Sequence, residues 1–290
     1  MLLFKRQNDL QKHLNVQKNS GYRIGFVPTM GALHQGHIQL IKEASKACDL
    51  VVVSIFVNPT QFNDKKDFER YPVSIPADIQ LLEQSGADVL YLPEPADIYP
   101  DGIQALEQYD LGNLEKILEG ASRPGHFQGV CQVVNRLLHA VQPHSLFMGR
   151  KDFQQCAVIR RLLRLTTHNT ELIICDTVRE NDGLAMSSRN RRLNAREREL
   201  ALGIFKALQH IQKGLPHHSI ENLKKEAYTI LTEHQFRVDY IEMAHAQTLE
   251  SLESYDPAQD TVILIAAFQG EIRLIDNLFL PATVSLSGKH

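Results

Sequence analysis

Apolar and polar positions divide the chain into short, strand-sized apolar runs separated by stretches with helical spacing. Residues 22–28 read as a buried strand ending in the turn-like Thr29-Met30-Gly31. From Gly36 the spacing becomes helical, carried by Ile38, Leu40, Ile41 and Ala44. A second strand over 50–57 stops at Asn58-Pro59, because proline cannot donate to a sheet ladder. Ser74 is placed to cap a helix bearing Ile79, Leu81 and Leu82, and residues 88–92 read as a third strand. The alternation continues with a helix over 127–141, a strand over 145–148, a helix over 152–165 and a strand over 171–175. Strands separated by helical crossovers predict an α/β domain with a parallel sheet of about five strands.

Beyond Asn190 the order changes. Asn194-Ala-Arg-Glu197 has the form of a capping box opening a long helix that runs to Lys213, and a second helix covers 220–234. Strand-like segments follow at 237–243, 261–268 and 271–275, with Phe268-Gln-Gly270 as the turn between the last two. Helices followed by strands predict a smaller α+β domain with an antiparallel sheet. The expected division is therefore residues 1–182 and 183–290. Residues 93–100 read as an ordered proline-rich loop, 189–199 as the solvated start of a helix, and 285–290 as a loose tail.

Composition narrows the class. With 290 residues, 43% hydrophobic and 22% charged, the chain lies in the globular range and is long enough to bury a sizeable core. The 31 Lys+Arg against 34 Asp+Glu give a net charge of −3, which argues against a protein that lives on nucleic acid. Apolar runs such as 49–57 and 262–268 fall well short of the ~20 residues of a membrane span. Lys5 and Arg6 stand where a signal peptide would need its apolar stretch. Cys48, Cys131, Cys156 and Cys175 form no C-x-x-C pair and sit among apolar residues, as buried reduced thiols of a cytoplasmic protein would.

Polar clusters gather where strands end. Pro28-Thr-Met30-Gly31-Ala32-Leu33-His34-Gln35-Gly36-His37 joins the first strand to the first helix, where an open α/β sheet binds anions beside a helix N-terminus. His34 and His37 suit phosphate oxygens there; turn or capping roles and metal ligation remain open, although a zinc site would need a third ligand that the sequence does not nominate. The G-x-G-x-x-G dinucleotide fingerprint is absent. Asn58-Pro-Thr60-Gln61 offers uncharged donors and acceptors, or simply a polar strand-end turn. Arg123-Pro-Gly-His126-Phe-Gln-Gly129 combines a carboxylate-binding side chain with glycines that permit close backbone approach. Gly149-Arg150-Lys151-Asp152-Phe-Gln-Gln155 opens a helix with a phosphate-sized point charge, and Asp152 suits either ribose hydroxyls or a helix cap. Met186-Ser187-Ser188-Arg189 sets two hydroxyls beside an arginine, as a polyphosphate clamp or a serine-rich loop would. No Ser or Cys has a local base, so a covalent nucleophile is not indicated.

Taken in order, these strings carry a resemblance. Met30-Gly-Ala-Leu-His34-Gln-Gly-His37 resembles the H-x-G-H element of the nucleotidyltransferase superfamily, and Met186-Ser-Ser-Arg189 its mobile second signature. With Val57-Asn-Pro-Thr-Gln-Phe62, Arg123-Pro-Gly-His-Phe127, Gly149-Arg-Lys-Asp-Phe-Gln-Gln155, Arg179-Glu-Asn-Asp-Gly183 and Arg273-Leu-Ile-Asp-Asn277, the chain is similar to the pantothenate synthetase (pantoate–β-alanine ligase) family. The resemblance implies a Rossmann-like domain that binds ATP and pantoate, followed by a lid-type α+β domain carrying the Met-Ser-Ser-Arg loop. It also implies condensation of pantoate with β-alanine through a pantoyl adenylate, with ATP and Mg²⁺, in a cytoplasmic homodimer. Residues Met30 to His37, Gly149 to Asp152, Val178 and Met186 to Arg189 would line the ATP site. His37 would be the proton donor, with His34 and Lys151 also on the phosphates. Gln61 and Gln155 would hold pantoate, and Gln61, with Asn58, Arg123 and His126, would meet β-alanine. Two departures stand out: Thr60, where the family often has a larger apolar residue, and Arg150, where an acid or amide is common. Other readings are an adenylyltransferase that stops after adenylyl transfer, and a non-catalytic nucleotide-binding module.

Overall fold

A computed structural model describes residues 1–104, 106–215 and 217–283, with the backbone alone at Lys65. The expected tail at 285–290 lies outside the described residues. Two compact units make up the chain, Met1–Val178 and Arg179–His290. This division falls just ahead of the one expected after Asp182. The reason is Arg179, whose guanidinium forms two bonds to the carboxylate of Asp276 deep in the second unit.

In the first unit, β1 (Leu2–Phe4), β2 (Ile24–Thr29), β3 (Leu50–Ile55), β4 (Val89–Tyr91), β5 (Ser145–Gly149) and β6 (Glu171–Cys175) form one sheet in the order β1-β4-β3-β2-β5-β6. Every neighbouring pair is parallel. The connections hold α1 (Gln7–Asn19), α2 (Gln35–Ala47), α3 (Lys65–Glu69), α4 (Ile75–Glu83), α5 (Pro95–Ile98), α6 (Leu118–Ser122), α7 (His126–Val141) and α8 (Phe153–Leu165). Side chains alternate between two cores. Phe26, Val52, Leu146 and Met148 pack with residues of α1, α7 and α8. Val27, Val51, Val53 and Phe147 pack with residues of α2 and α4. Helices on both faces explain why β3 is buried along its whole length and reads as a continuous apolar run.

Several elements escape the sequence pattern, the short helices α3 and α6 as well as β1 and α1. The strand β1 is three residues long at the sheet edge, with Leu2 and Leu3 exposed. Helix α1 buries only Leu10 and Leu14 among thirteen residues, an apolar stripe too thin for periodicity to detect. The proline-rich segment 93–100 is ordered, as expected, but contains the helical turn α5.

The topology fixes where a ligand can sit. From β2 the sheet grows outward through β3 and β4, then crosses to β5 and β6 on the other side. Such a reversal opens a crevice at the carboxyl ends of the two flanking strands. The β2–β5 ladder pairs only Gly25 with Ser145 and Phe26 with Leu146, whereas β2–β3 pairing continues to Thr29 and Ile55. The last residues of β2 and β5 thus stand outside their common ladder.

The second unit holds α9 (Ala195–Leu200), α10 (Gly203–Gly214), α11 (Ile220–Glu233) and an antiparallel sheet β7-β8-β9, formed by Phe236–His245, Thr261–Gln269 and Ile272–Leu280. Ile204, Leu208 and Ile211 of α10 and Leu223, Ala227 and Leu231 of α11 share one core with Ile263, Ile265 and Ala267 of β8. The Asn194–Glu197 capping box is present. The single long helix expected after it is instead two, interrupted at Ala201-Leu202. Gly203 then starts α10 where a Cβ would lie 2.6 Å from His234, the C-cap of α11. Residues 189–199 likewise are not one helix start: a 3₁₀ turn at Ser188–Arg192 precedes the box.

Candidate active site

The loop leaving β2 is held by side-chain oxygens. Thr29 Oγ1 donates to the Ser54 carbonyl at 2.8 Å and accepts the Gly31 N–H at 3.2 Å. The next two N–H groups, of Ala32 and Leu33, donate to the two carboxylate oxygens of Asp78 at 2.9 and 2.8 Å. Gly31 and Ala32 have φ of 80° and 49°, in the left-handed region. Ala32 and Leu33 are fully buried; Met30, His34, Gly36 and His37 are half-buried, and Gln35 is exposed.

Helix α2 begins with His34 as its N-cap. His34 Nδ1 accepts from the Gly36 N–H at 3.1 Å, and His37 Nδ1 accepts from the His34 N–H at 3.3 Å. The capping role is therefore real for both rings. With Nδ1 accepting, a neutral ring carries its proton on Nε2 and is a donor there. The two rings lie 4.1 Å apart, centroid to centroid.

At the end of β3, Asn58 is fully buried and its amide is consumed within the protein. Nδ2 donates to Gln61 Oε1 and to the Gly129 carbonyl, each at 3.1 Å. Oδ1 accepts from Tyr99 Oη at 2.7 Å and from Thr60 Oγ1 at 3.1 Å. Asn58 thus orients Gln61, whose Nε2 donates to Met30 Sδ at 3.2 Å, joining the β3 end to the β2 loop. Burial pushes the Tyr99 phenol up, against the pull of its bonds to Thr60 and Asn58. Thr60 brings to this network a hydroxyl that an apolar residue would lack.

His126 is buried at the start of α7. Its Nδ1 lies 2.7 Å from the Gln61 carbonyl, which can only accept, so the proton is on Nδ1 and Nε2 receives Arg123 Nη1 at 3.2 Å. Both glycines of this segment have structural work: Gly125 takes φ of 80°, and a Cβ on Gly129 would press on the Thr60 carbonyl and lie 2.7 Å from Gln61 Cα.

Beside β2, the end of β5 presents Gly149, Arg150, Lys151 and Asp152, with Gln155 half-buried in the first turn of α8. Asp152 is exposed and makes no side-chain cap to α8; Lys151 Nζ lies 3.8 Å from its carboxylate. Arg150 Nε donates to Asp176 at 3.0 Å, which offsets its extra charge. Gln154, the neighbour of Gln155, is buried and ties down the start of α6 and the segment before it through Leu114, Ile117 and Glu119. Val178, half-buried, closes the unit. No thiol is poised as a nucleophile among these residues: burial pushes Cys131 and Cys156 up to about 12 and Cys175 up to about 11.

In the second unit, Met186 follows an antiparallel bridge of Arg179 with Ala185, Ser187 is the N-cap of a 3₁₀ turn, and Ser188 and Arg189 are its first two residues. Ser187 Oγ accepts the Arg189 N–H at 3.2 Å, and Ser188 is buried. Asn190 Nδ2 donates to the Ala185 carbonyl at 3.0 Å. Arg179 braces the base of the loop: besides Asp276, it donates to the carbonyls of Gly183 and Asn277 and stacks 4.2 Å above the Phe205 ring. Arg198 clasps Glu180 and Asp182 from α9, each at 2.7 Å.

Three contributors are not apparent in the sequence motifs: Asp78, Tyr99, and the pairing of Arg179 with Asp276. Asp78 did leave a trace, as an acid on the face that Ile75 and Leu82 make apolar; Tyr99 left none. Ser74, expected as a side-chain cap, is the N-cap of α4 but donates its hydroxyl to Asp78 Oδ1 at 3.1 Å.

Comparison with known proteins follows the same lines. A family model described as Pantoate-beta-alanine ligase matches residues 2–279. The pantothenate synthetase of Bacteroides fragilis is 44% identical over 271 residues, covering 93% of this chain and 95% of that protein. That of Shewanella oneidensis is 46% identical over 272 residues, covering 93% and 96%. The crystal structure of pantothenate synthetase from Thermus thermophilus matches with a TM-score of 0.90 at 37% identity, over 97% of this chain and 100% of that one. The pantoate-beta-alanine ligase of Francisella tularensis, complexed with beta-gamma ATP and beta-alanine, matches with a TM-score of 0.78 at 36% identity, over 96% and 97%.

Proposed function

The chain belongs to the pantoate-beta-alanine ligase family, and from that premise we propose how its residues join pantoate to β-alanine at the expense of ATP. The pantoate carboxylate attacks the α-phosphorus of ATP, the bond to the β-phosphate oxygen breaks, and pyrophosphate leaves with the bonding pair. The β-alanine amine then attacks the carbonyl of pantoyl adenylate, loses a proton, and expels AMP as the amide forms.

The contact of Gln61 Nε2 with Met30 Sδ carries this reading. It sets an amide suited to hydroxyls and carboxylate against the loop that leads to the two histidines, which is the adjacency that attack on an α-phosphate requires. His34 and His37 donate through Nε2–H to phosphate oxygens, with His37 as proton donor, and Lys151 stabilises the charge gathering on phosphorus. Gly149, Arg150 and Asp152 meet ribose and phosphate, and Val178 lies near adenine. Gln155 shares pantoate with Gln61, which also meets β-alanine. The Arg123 guanidinium suits the β-alanine carboxylate, whereas the amide of Asn58 and the ring of His126 act by fixing Gln61. The Met186 to Arg189 loop binds the departing polyphosphate.

ATP would bring Mg²⁺ with it, and the ion would supply charge neutralisation on the polyphosphate. The donor set suits that arrangement: imidazoles, amides and a lysine serve phosphate, and no group of three His, Cys, Asp or Glu is set to hold a metal among the described residues. A cytoplasmic homodimer is the working state proposed from the family resemblance, testable by sedimentation of the purified chain. No helix among the described residues is long and apolar enough to cross a membrane.

Pyrophosphate release measured with pantoate present, with and without β-alanine, tests the reaction. Pantoate labelled with ¹⁸O in its carboxylate should deliver one labelled oxygen to AMP; unlabelled AMP would refute the adenylate. Gln155→Ala should raise the pantoate KM more than the ATP KM, and equal changes would remove that assignment.

A further inference from the structure

We propose that Asp78 is a positioning residue for the nucleotide loop, acting through the backbone of Ala32 and Leu33 to set the direction of the His34 and His37 rings. The inference rests on the reading of those histidines given above. Asp78 is 1% exposed and lies in the first turn of α4, on the face that Ile75 and Leu82 make apolar. An apolar residue would serve the helix better there, since a buried carboxylate is costly unless hydrogen bonds surround it. Its bonds come from the Ala32 and Leu33 N–H groups and from Ser74 Oγ, which steadies Oδ1 from the N-cap of the same helix. A carboxylate also has the wrong sign for a polyphosphate site, so its presence beside this loop is explained by the loop and not by the nucleotide.

The loop needs such a hold. Gly31 and Ala32 are both left-handed, a conformation that alanine seldom adopts without external support. Gly31 is packed so closely that a Cβ would meet Asp78 Oδ2 at 3.0 Å and Ile55 Cγ2 at 3.1 Å. With the Gly31 N–H on Thr29 and the next two on Asp78, all three amides of this turn are spent inside the protein. The turn is therefore shaped before ATP arrives. Phosphate contacts fall to the imidazoles, the first of which, His34, directly follows the residue Asp78 holds.

Asp78→Asn keeps the size but turns one acceptor into a donor facing an N–H. In substrate-free protein with ¹⁵N-labelled histidine, the imidazole nitrogen shifts of His34 and His37 should move away from the wild-type Nε2–H pattern. Pantoate-dependent pyrophosphate release should lose roughly tenfold or more in kcat, because small misplacements of reacting groups are that costly. The ATP KM should stay within about threefold of wild type, since uniform binding is not what is lost. A folded Asp78→Asn protein with unchanged imidazole shifts, or with shifted imidazoles but wild-type kcat, overturns the proposal. Should that variant not fold, Ser74→Ala keeps the carboxylate and removes one of its bonds. It should then give a smaller change of the same kind, and wild-type behaviour in both readouts would equally overturn it. A wild-type protein without pantoate-dependent pyrophosphate release would sink the functional reading instead, while the imidazole shifts would still decide the role of Asp78 in the loop.

Discussion

Replacing Asn58 by alanine tests whether the buried amide network holds Gln61 for its substrate. The substitution strips Gln61 Oε1 of its donor, removes the 2.7 Å acceptor of Tyr99 Oη, and takes one donor from the Gly129 carbonyl. Gly129 belongs to α7 and Tyr99 Oη keeps Thr60 Oγ1 at 3.2 Å, so Gln61 bears the full loss. At about 1–3 kcal/mol for each buried polar group left short, one full and one partial loss amount to about 3 kcal/mol. That is a large share of a domain's ~5–15 kcal/mol but leaves the protein folded. The amide of Gln61, no longer pinned, turns freely, so the pantoate KM should rise while the ATP KM holds. Urea unfolding followed by circular dichroism gives the stability change, and pyrophosphate release with pantoate and ATP varied separately gives the two constants. A loss under about 0.5 kcal/mol together with an unchanged pantoate KM would refute the reasoning. Tyr99→Phe, which leaves the Thr60 donors on Asn58 Oδ1, should cost only about 1 kcal/mol and shift KM less.

His37→Ala should abolish most adenylate formation yet lower stability by only about 1 kcal/mol, the worth of a helix cap; melting and pyrophosphate release separate the two effects, and an unfolded variant would mean the ring is mainly structural. Asp276→Ala leaves Arg179 without the carboxylate that meets two of its nitrogens at 2.6 and 3.0 Å, and should cost about 3–5 kcal/mol of stability in the second unit, seen by hydrogen exchange of β9 amides; exchange at the wild-type rate would show that the pair is dispensable. The thiols should be nearly inert to a disulfide reagent at pH 8 in the native protein and all reactive in denaturant, because burial raises Cys131, Cys156 and Cys175. The sign carries over to stability: the raised thiols favour the fold fully below an ordinary thiol pKa of about 8.5, and that contribution is lost as pH climbs toward the folded values of about 11 to 12. Rapid labelling of Cys131, Cys156 or Cys175 at pH 8 would contradict it.

Local signals in the chain specified most of the architecture. The short apolar runs of β2, β3 and β5 marked buried strands, and the Asn194–Glu197 box appears as read, because both depend on residues a few positions apart; which core each strand residue faces came from the sheet. The same locality made the His34 and His37 loop, the Asn58-to-Gln61 turn and the Lys151 loop legible as strand-end chemistry. It failed where the signal was faint, as in α1 with two buried leucines.

What only the tertiary structure decided is, within each unit, the set of side chains that hold the candidate residues in place. Asp78 meets Ala32 across 46 positions, Tyr99 meets Asn58 across 41, and Arg179 meets Asp276 across 97. No pattern along the chain marks such partners, since a residue's periodicity reports which side is buried and not which backbone will arrive there. The order of strands supplies that information. With β3 beside β2 and β5 on its other flank, the sheet brings the strand ends together, and α4 and α7 close over them from opposite faces. The chemistry-bearing residues were thus written locally, and the groups that aim them were chosen by the fold.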